Sequence, residues 1–109
     1  MIKTILSSAL LLVTLITSQA FAQDFVIDEH GILKCETAAV GDTATISGNT
    51  YTAVDRGLLD ALITADTDPL YVCTSLVEEM QELFNMKLNF NQDIGNWDVS
   101  NVTNMTSMF

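Results

Sequence analysis

Ser100–Phe109 (SNVTNMTSMF) repeats the pattern of Ser75–Phe84 (SLVEEMQELF) at an offset of 25 residues. Ser75/Ser100, Val77/Val102, Met80/Met105 and Phe84/Phe109 coincide, and Leu83/Met108 is an apolar exchange. Self-similarity at such a period marks stacked units, none of which buries its apolar face alone. This constrains the chain more than its composition does. It predicts an α/β architecture in which right-handed stacking builds a solenoid with a parallel ladder of short strands on one side.

One unit is expected to read strand, cap, helix and return loop. Leu70–Thr74 (LYVCT) reads as a short strand. Ser75-x-x-Glu78 reads as a capping box, in which hydroxyl and carboxylate satisfy the free amides of a first helical turn. Val77, Met80, Leu83 and Phe84 then fall at helical spacing. Leu88–Phe90 returns the chain, Ile94, Trp97 and Val99 suggest a second short strand, and Ser100 opens the next helix. Residues 75–99 are therefore read as a first repeat and 100–109 as a truncated second one.

Upstream, residues 23–74 read as an N-terminal cap of hairpins plus one helix. Asp24–Glu29 is a strand with Phe25 and Ile27 on one side, His30-Gly31 a turn, and Ile32–Cys35 the return. Thr43–Ile46 and Thr50–Val54 are rich in β-branched residues and flank Ser47-Gly48-Asn49, in which Gly-Asn is the turn pair. Asp55 is placed to cap a helix over 55–66, with Leu58, Leu59, Leu62 and Ile63 on its apolar face. Asp66-Thr-Asp-Pro69 ends it, because proline disfavours helix in the residue before it.

Residues 1–22 have the three parts of a secretory signal peptide: Lys3 near the start, the apolar run Ile5–Ser18, and the small-x-small site Ala20-Phe21-Ala22. The apolar run is shorter than the roughly 20 residues needed to cross a bilayer, which speaks against a membrane anchor. All 14 Asp and Glu follow residue 22, against only Lys34, Arg56 and Lys87. Such a surface repels nucleic acid and anionic lipid, so neither is expected as a partner, nor membrane insertion after cleavage. Cys35 and Cys73 are the two cysteines, and an exported chain predicts a disulfide between them. Closing that loop stabilises by roughly 4 kcal/mol in the chain-entropy model.

No catalytic or metal-binding constellation stands out, and no cofactor is expected. His30 is the only histidine. There is no Cys-x-x-Cys pair, calcium loop or glycine-rich phosphate loop; Asp66-Thr-Asp68 sits where a turn is expected. Asp28/Glu29 and Glu78/Glu79 are neighbours in sequence, so they do not face one another across a cleft as an acid–base pair must. Asn101 and Asn104 stand in glycosylation sequons, but as repeat residues they are expected to cap and to ladder. Trp97 is expected in packing rather than as a ligand platform.

Phe90–Phe109 (FNQDIGNWDVSNVTNMTSMF) resembles the repeats of the BspA-type leucine-rich-repeat surface proteins of bacteria. Ser75–Phe84 fits more loosely, with Glu78-Glu79 and Gln81-Glu82 at family Thr, Asp or Ser positions and Val72-Cys73 in place of Trp97-Asp98. The resemblance implies a secreted or cell-surface, non-enzymatic protein acting in adhesion or in binding an extracellular protein or cell-surface ligand. It also implies further repeats, so the sequence reads as an N-terminal fragment. The alternative is a small secreted enzyme or enzyme accessory domain. The repeat argues for the first reading, since an enzyme is expected to break its period around a pocket.

Overall fold

The computed structural model describes residues 24–109. The signal-peptide expectation, residues 1–22, and the first residue of the expected cap lie outside them.

The described residues open with an antiparallel hairpin of β1 (Val26–Ile27) and β2 (Leu33–Lys34). Asp28 builds its turn: Oδ1 accepts the N–H groups of His30 at 2.8 Å and Ile32 at 2.9 Å. Phe25 and Leu33 are buried. Ile27, expected beside Phe25, is 51% exposed. The reason is position: β2 donates from Leu33 N to Asn96 O on its far side, which leaves β1 as the outer strand.

The second hairpin pairs β3 (Thr43–Ile46) with β4 (Asn49–Ala53). Its turn is Ser47-Gly48 rather than Gly48-Asn49. Both residues have positive φ, 52° and 85°, as the tight turn matched to strand twist requires. Asn49 thereby becomes a strand residue opposite Ile46. From β4 the chain crosses through helix α1 (Arg56–Thr64) to β5 (Val72–Cys73), which lies parallel to β4. A parallel pair needs such a crossover.

Helix α1 starts where expected. Asp55 is extended and its carboxylate accepts Leu58 N–H at 2.9 Å. It ends two residues before the expected position. Asp66 takes positive φ (56°), Asp66 N donates to Ile63 O, and Thr67 N donates to Leu62 O. This left-handed cap closes the helix before proline is reached. Leu59 and Ile63 are buried, with Leu58 and Leu62 packed beside them.

The repeat region departs from the helical expectation. Residues 75–84 and 100–109 form no helix, and the described residues 94–99 form no strand. The chain instead advances through tight turns, with Val77 N bonded to Thr74 O and Leu83 N to Met80 O. The second copy reproduces them: Val102 N to Val99 O, and Met108 N to Met105 O. Glu82 and Ser107, one period apart, share positive φ of 55° and 52°. The helical spacing has a physical source. Each three-residue turn returns the next apolar side chain to the same face, so Val77, Met80 and Leu83 point inward without a helix.

The copies are joined by a ladder of backbone hydrogen bonds. Met80 N donates to Asn104 O, Glu82 N to Thr106 O and Phe84 N to Met108 O, each within 2.8–2.9 Å. Thr103 N returns a bond to Glu78 O at 2.8 Å. Glu79 and Asn104 form a parallel bridge. Extended segments on neighbouring units thus satisfy one another's polar groups, as buried backbone requires.

The β4–β5 ladder divides two cores. Val54 and Val72 face a larger one containing Leu59, Met80, Leu83, Phe84, Trp97 and Met108. Ala53 and Cys73 face a smaller one with Phe25, Leu33, Cys35 and Ala38. Full burial of such a Leu, Met or Phe stabilises by about 1.5–3 kcal/mol.

Candidate functional site

The face that carries the smaller core is built in rows by strand register. Ala53 pairs with Cys73, and one period on from Cys73 stands Asp98. Two residues earlier on each segment stand Tyr51, Tyr71 and Asn96. Strand β2 lies across the first row. The second row remains at the rim.

Under β2, Cys35 and Cys73 form the expected disulfide, with Cα atoms 6.3 Å apart. Beside it lies a buried polar network that sequence reasoning missed. Ser75 Oγ accepts Cys35 N–H at 3.0 Å and donates to Asp98 Oδ2 at 2.7 Å. This is the serine expected to cap a helix; no helix follows it, and its hydroxyl turns inward instead. Asp98 Oδ1 accepts Ser100 N–H at 3.0 Å and lies 3.5 Å from Lys34 Nζ. Burial pushes the Asp98 carboxyl up. Hydrogen bonds from the Ser100 and Ser75 side chains and the Ser100 N–H, with the Lys34 charge, outweigh that and hold it below its ordinary value of 3.8. The network is fully partnered, the condition under which a buried charge is tolerated. The signal available in sequence was the alignment of Asp98 with Cys73.

Two repeat side chains reach back one unit. Gln92 Nε2 donates to Thr67 O and its Oε1 accepts Leu70 N–H, both at 2.6 Å. Asn101 Nδ2 donates to Ser75 O at 2.8 Å, so this sequon asparagine ladders as expected. Asn104 closes its own turn, with Oδ1 accepting Thr106 N–H at 3.0 Å. Trp97 is a core residue, its ring 6.0 Å from that of Phe84. Phe84 also stacks with Phe109, its partner one period later, at 5.2 Å.

At the rim, Tyr51 and Tyr71 meet with ring centroids 5.2 Å apart and planes tilted by 55°. They border a cleft of about 330 Å³ with Pro69, Leu70, Gln92, Asp93 and Asn96. A shallower hollow of about 390 Å³ lies between α1 and the repeats, walled by Asp55, Arg56, Glu78, Glu79 and Thr103. There Arg56 spans the two, bonding Asp60 Oδ2 at 2.9 Å and Glu79 O at 3.3 Å.

Among the described residues no three of His, Cys, Asp or Glu gather as metal ligands. His30 is exposed in the first turn, 3.5 Å from Glu29. Asp28 is held below its ordinary value first by the Ile32 N–H, then by the His30 N–H and the charges of His30 and Lys34, against a smaller opposing effect of desolvation. Its work is to close that turn. Among the described residues no helix is long and apolar enough to cross a membrane.

Residues 70–109 match the model of a family described as "Mycoplasma protein of unknown function, DUF285". No curated protein and no solved structure matches the chain.

Proposed function

We propose that this is a secreted or cell-surface repeat protein, non-enzymatic, that acts in adhesion or protein binding through a regular surface of leucine-rich-repeat-like units. The observation that carries the reading is the 25-residue period seen in backbone pairing as well as in residues, with Glu79 bridged to Asn104 and Thr103 N–H bonded to Glu78 O. A family match over the same stretch supports it, the family being associated with BspA-like repeat proteins. The disulfide fits an oxidising location. Units stacked at a fixed period present the same polar groups at regular intervals, and repeated weak contacts add through effective concentration.

The test is binding of the purified chain to immobilised extracellular matrix proteins and to intact neighbouring cells. Saturable binding that weakens when the exposed repeat residues Thr103 and Thr106 are replaced by Ala supports the reading. Absence of binding together with turnover of a substrate overturns it. Fusion of residues 1–22 to a reporter checks export separately.

A further inference from the structure

We propose that the cleft between Tyr51, Tyr71, Asp93 and Asn96 binds a neutral saccharide, which stacks a sugar ring on the tyrosine pair and gives its hydroxyls to the Asp93 carboxylate and Asn96 amide. This deepens the surface-binding reading, on which it rests, by naming a ligand class and a place.

Register makes the site. Ala53 opposite Cys73 sets Tyr51 opposite Tyr71 two residues back, and the repeat sets Asn96 one unit beyond. The rings are tilted by 55° rather than stacked flat, so the pair does not close on itself. Phenol rings offer an apolar body and a polar tip. A pyranose has the complementary form, with C–H faces and a hydroxyl rim.

The walls are set in advance. Both polar atoms of Gln92 are committed to Thr67 and Leu70 at 2.6 Å, which fixes the floor of the cleft across two units. Leu33 N takes the Asn96 carbonyl, which anchors that residue by its backbone and leaves its amide side chain for a ligand. Among the described residues, Asp93 engages Oδ1 alone, with Gly95 N–H at 2.8 Å. Side chains whose positions are already fixed lose little freedom on binding. The volume, about 330 Å³, lies in the range of small-ligand sites.

The chemistry narrows the ligand. None of the residues lining the cleft is basic, one is a carboxylate, and the chain carries a formal charge of −10, so an anion is repelled. A peptide cannot add as a strand beside Tyr51. β4 is paired on both sides, and Tyr71 O already accepts Thr52 N–H at 3.2 Å.

The full chain is to be titrated with neutral hexasaccharides of glucose, N-acetylglucosamine and mannose, followed by calorimetry and by amide chemical shifts. At least one should bind at about 1 mM or tighter and move the signals of Tyr71 and Asn96. Tyr71→Ala should weaken it at least about tenfold and Asn96→Ala by several-fold, while Glu78→Gln, in the other hollow, leaves it unchanged. Tyr71→Phe keeps the ring if the alanine variant fails to fold, and should lose less than Tyr71→Ala. Binding by none of the three, binding indifferent to Tyr71→Ala and Asn96→Ala, or capture of a proline-rich peptide by the tyrosines instead overturns the proposal. If none of the three saccharides binds while the chain still binds extracellular proteins, this inference alone has failed. If the parent chain binds neither saccharide nor extracellular protein, the broader reading falls as well.

Discussion

Ser75–Phe84 and Ser100–Phe109 share four residues, their turns and the positive φ of Glu82 and Ser107, yet they are buried very differently. Met80 is fully buried and Met105 is 44% exposed; Phe84 is buried and Phe109 is 83% exposed. Intrinsic preference is not the cause, since the local backbone bonds match one for one. The first copy lies between the α1–sheet core on one side and the second copy on the other, whereas the described residues cover the second copy on one side only. Burial here is a property of neighbours, the physical content of a stacked repeat.

The largest effect should come from testing that difference directly. Met80→Ala opens space in the closed core and should cost about 2–5 kcal/mol, while the equivalent Met105→Ala should cost well under half of that. Urea unfolding of the two variants decides it, and equal losses would mean that the flanking units do not set the worth of this position. Next is the pair Cys73 and Asp98, which occupy one position in successive units. Replacing both Cys35 and Cys73 by Ser should cost about 2–4 kcal/mol in thermal unfolding. Asp98→Ala should cost about 1–3 kcal/mol, because the Ser75 hydroxyl and Lys34 lose a buried partner.

Asp98 also predicts a pH dependence. Its folded value lies below the ordinary 3.8, so the folded state binds its proton less readily than the unfolded chain. That stabilisation is full above about pH 4–5 and disappears as the pH falls through the lowered folded value. Asp98→Asn should therefore flatten acid unfolding in this window relative to the parent protein; an unchanged acid limb would assign the transition to other carboxylates. The smallest effect is expected away from the repeats. Asp55→Ala removes the carboxylate that caps α1 and should lower stability by about 1 kcal/mol, leaving the rungs between copies protected in amide exchange.

Local features were legible in sequence where one residue type has one dominant local use. Asp55 at a helix start, the β-branched runs around Gly48 and the single pair of cysteines are of that kind. The turn at Ser47-Gly48 was displaced by one residue because strand twist, a two-strand property, selects the pair that takes positive φ. The repeat period was legible, but the secondary structure inside it was not. Inward-facing residues three apart fit a helix and a succession of three-residue turns equally well, and what separates them is the ladder between copies. Leu83 and Phe84 obey the helical period while Phe84 N bonds a residue in the other copy. The cleft and the buried network were hidden for the same reason. Tyr51, Tyr71 and Asn96, or Lys34, Ser75 and Asp98, become neighbours only through register.

The joint between β2 and the repeats is fastened by two unlike chemistries, and this has a consequence for how it can be undone. A reductant addresses the Cys35–Cys73 bond and leaves Asp98 charged; an acid addresses Asp98 and leaves the disulfide closed. Ser75 stands between them, bonded to Asp98 and to the amide of Cys35, and 3.7 Å from the sulfur of Cys73. Residues sharing a partner in this way respond non-additively, typically by about 0.5–3 kcal/mol. Loosening either fastening should therefore change how much the other is worth, and a double-mutant cycle over Cys73 and Asp98 that sums to zero would separate them into independent locks.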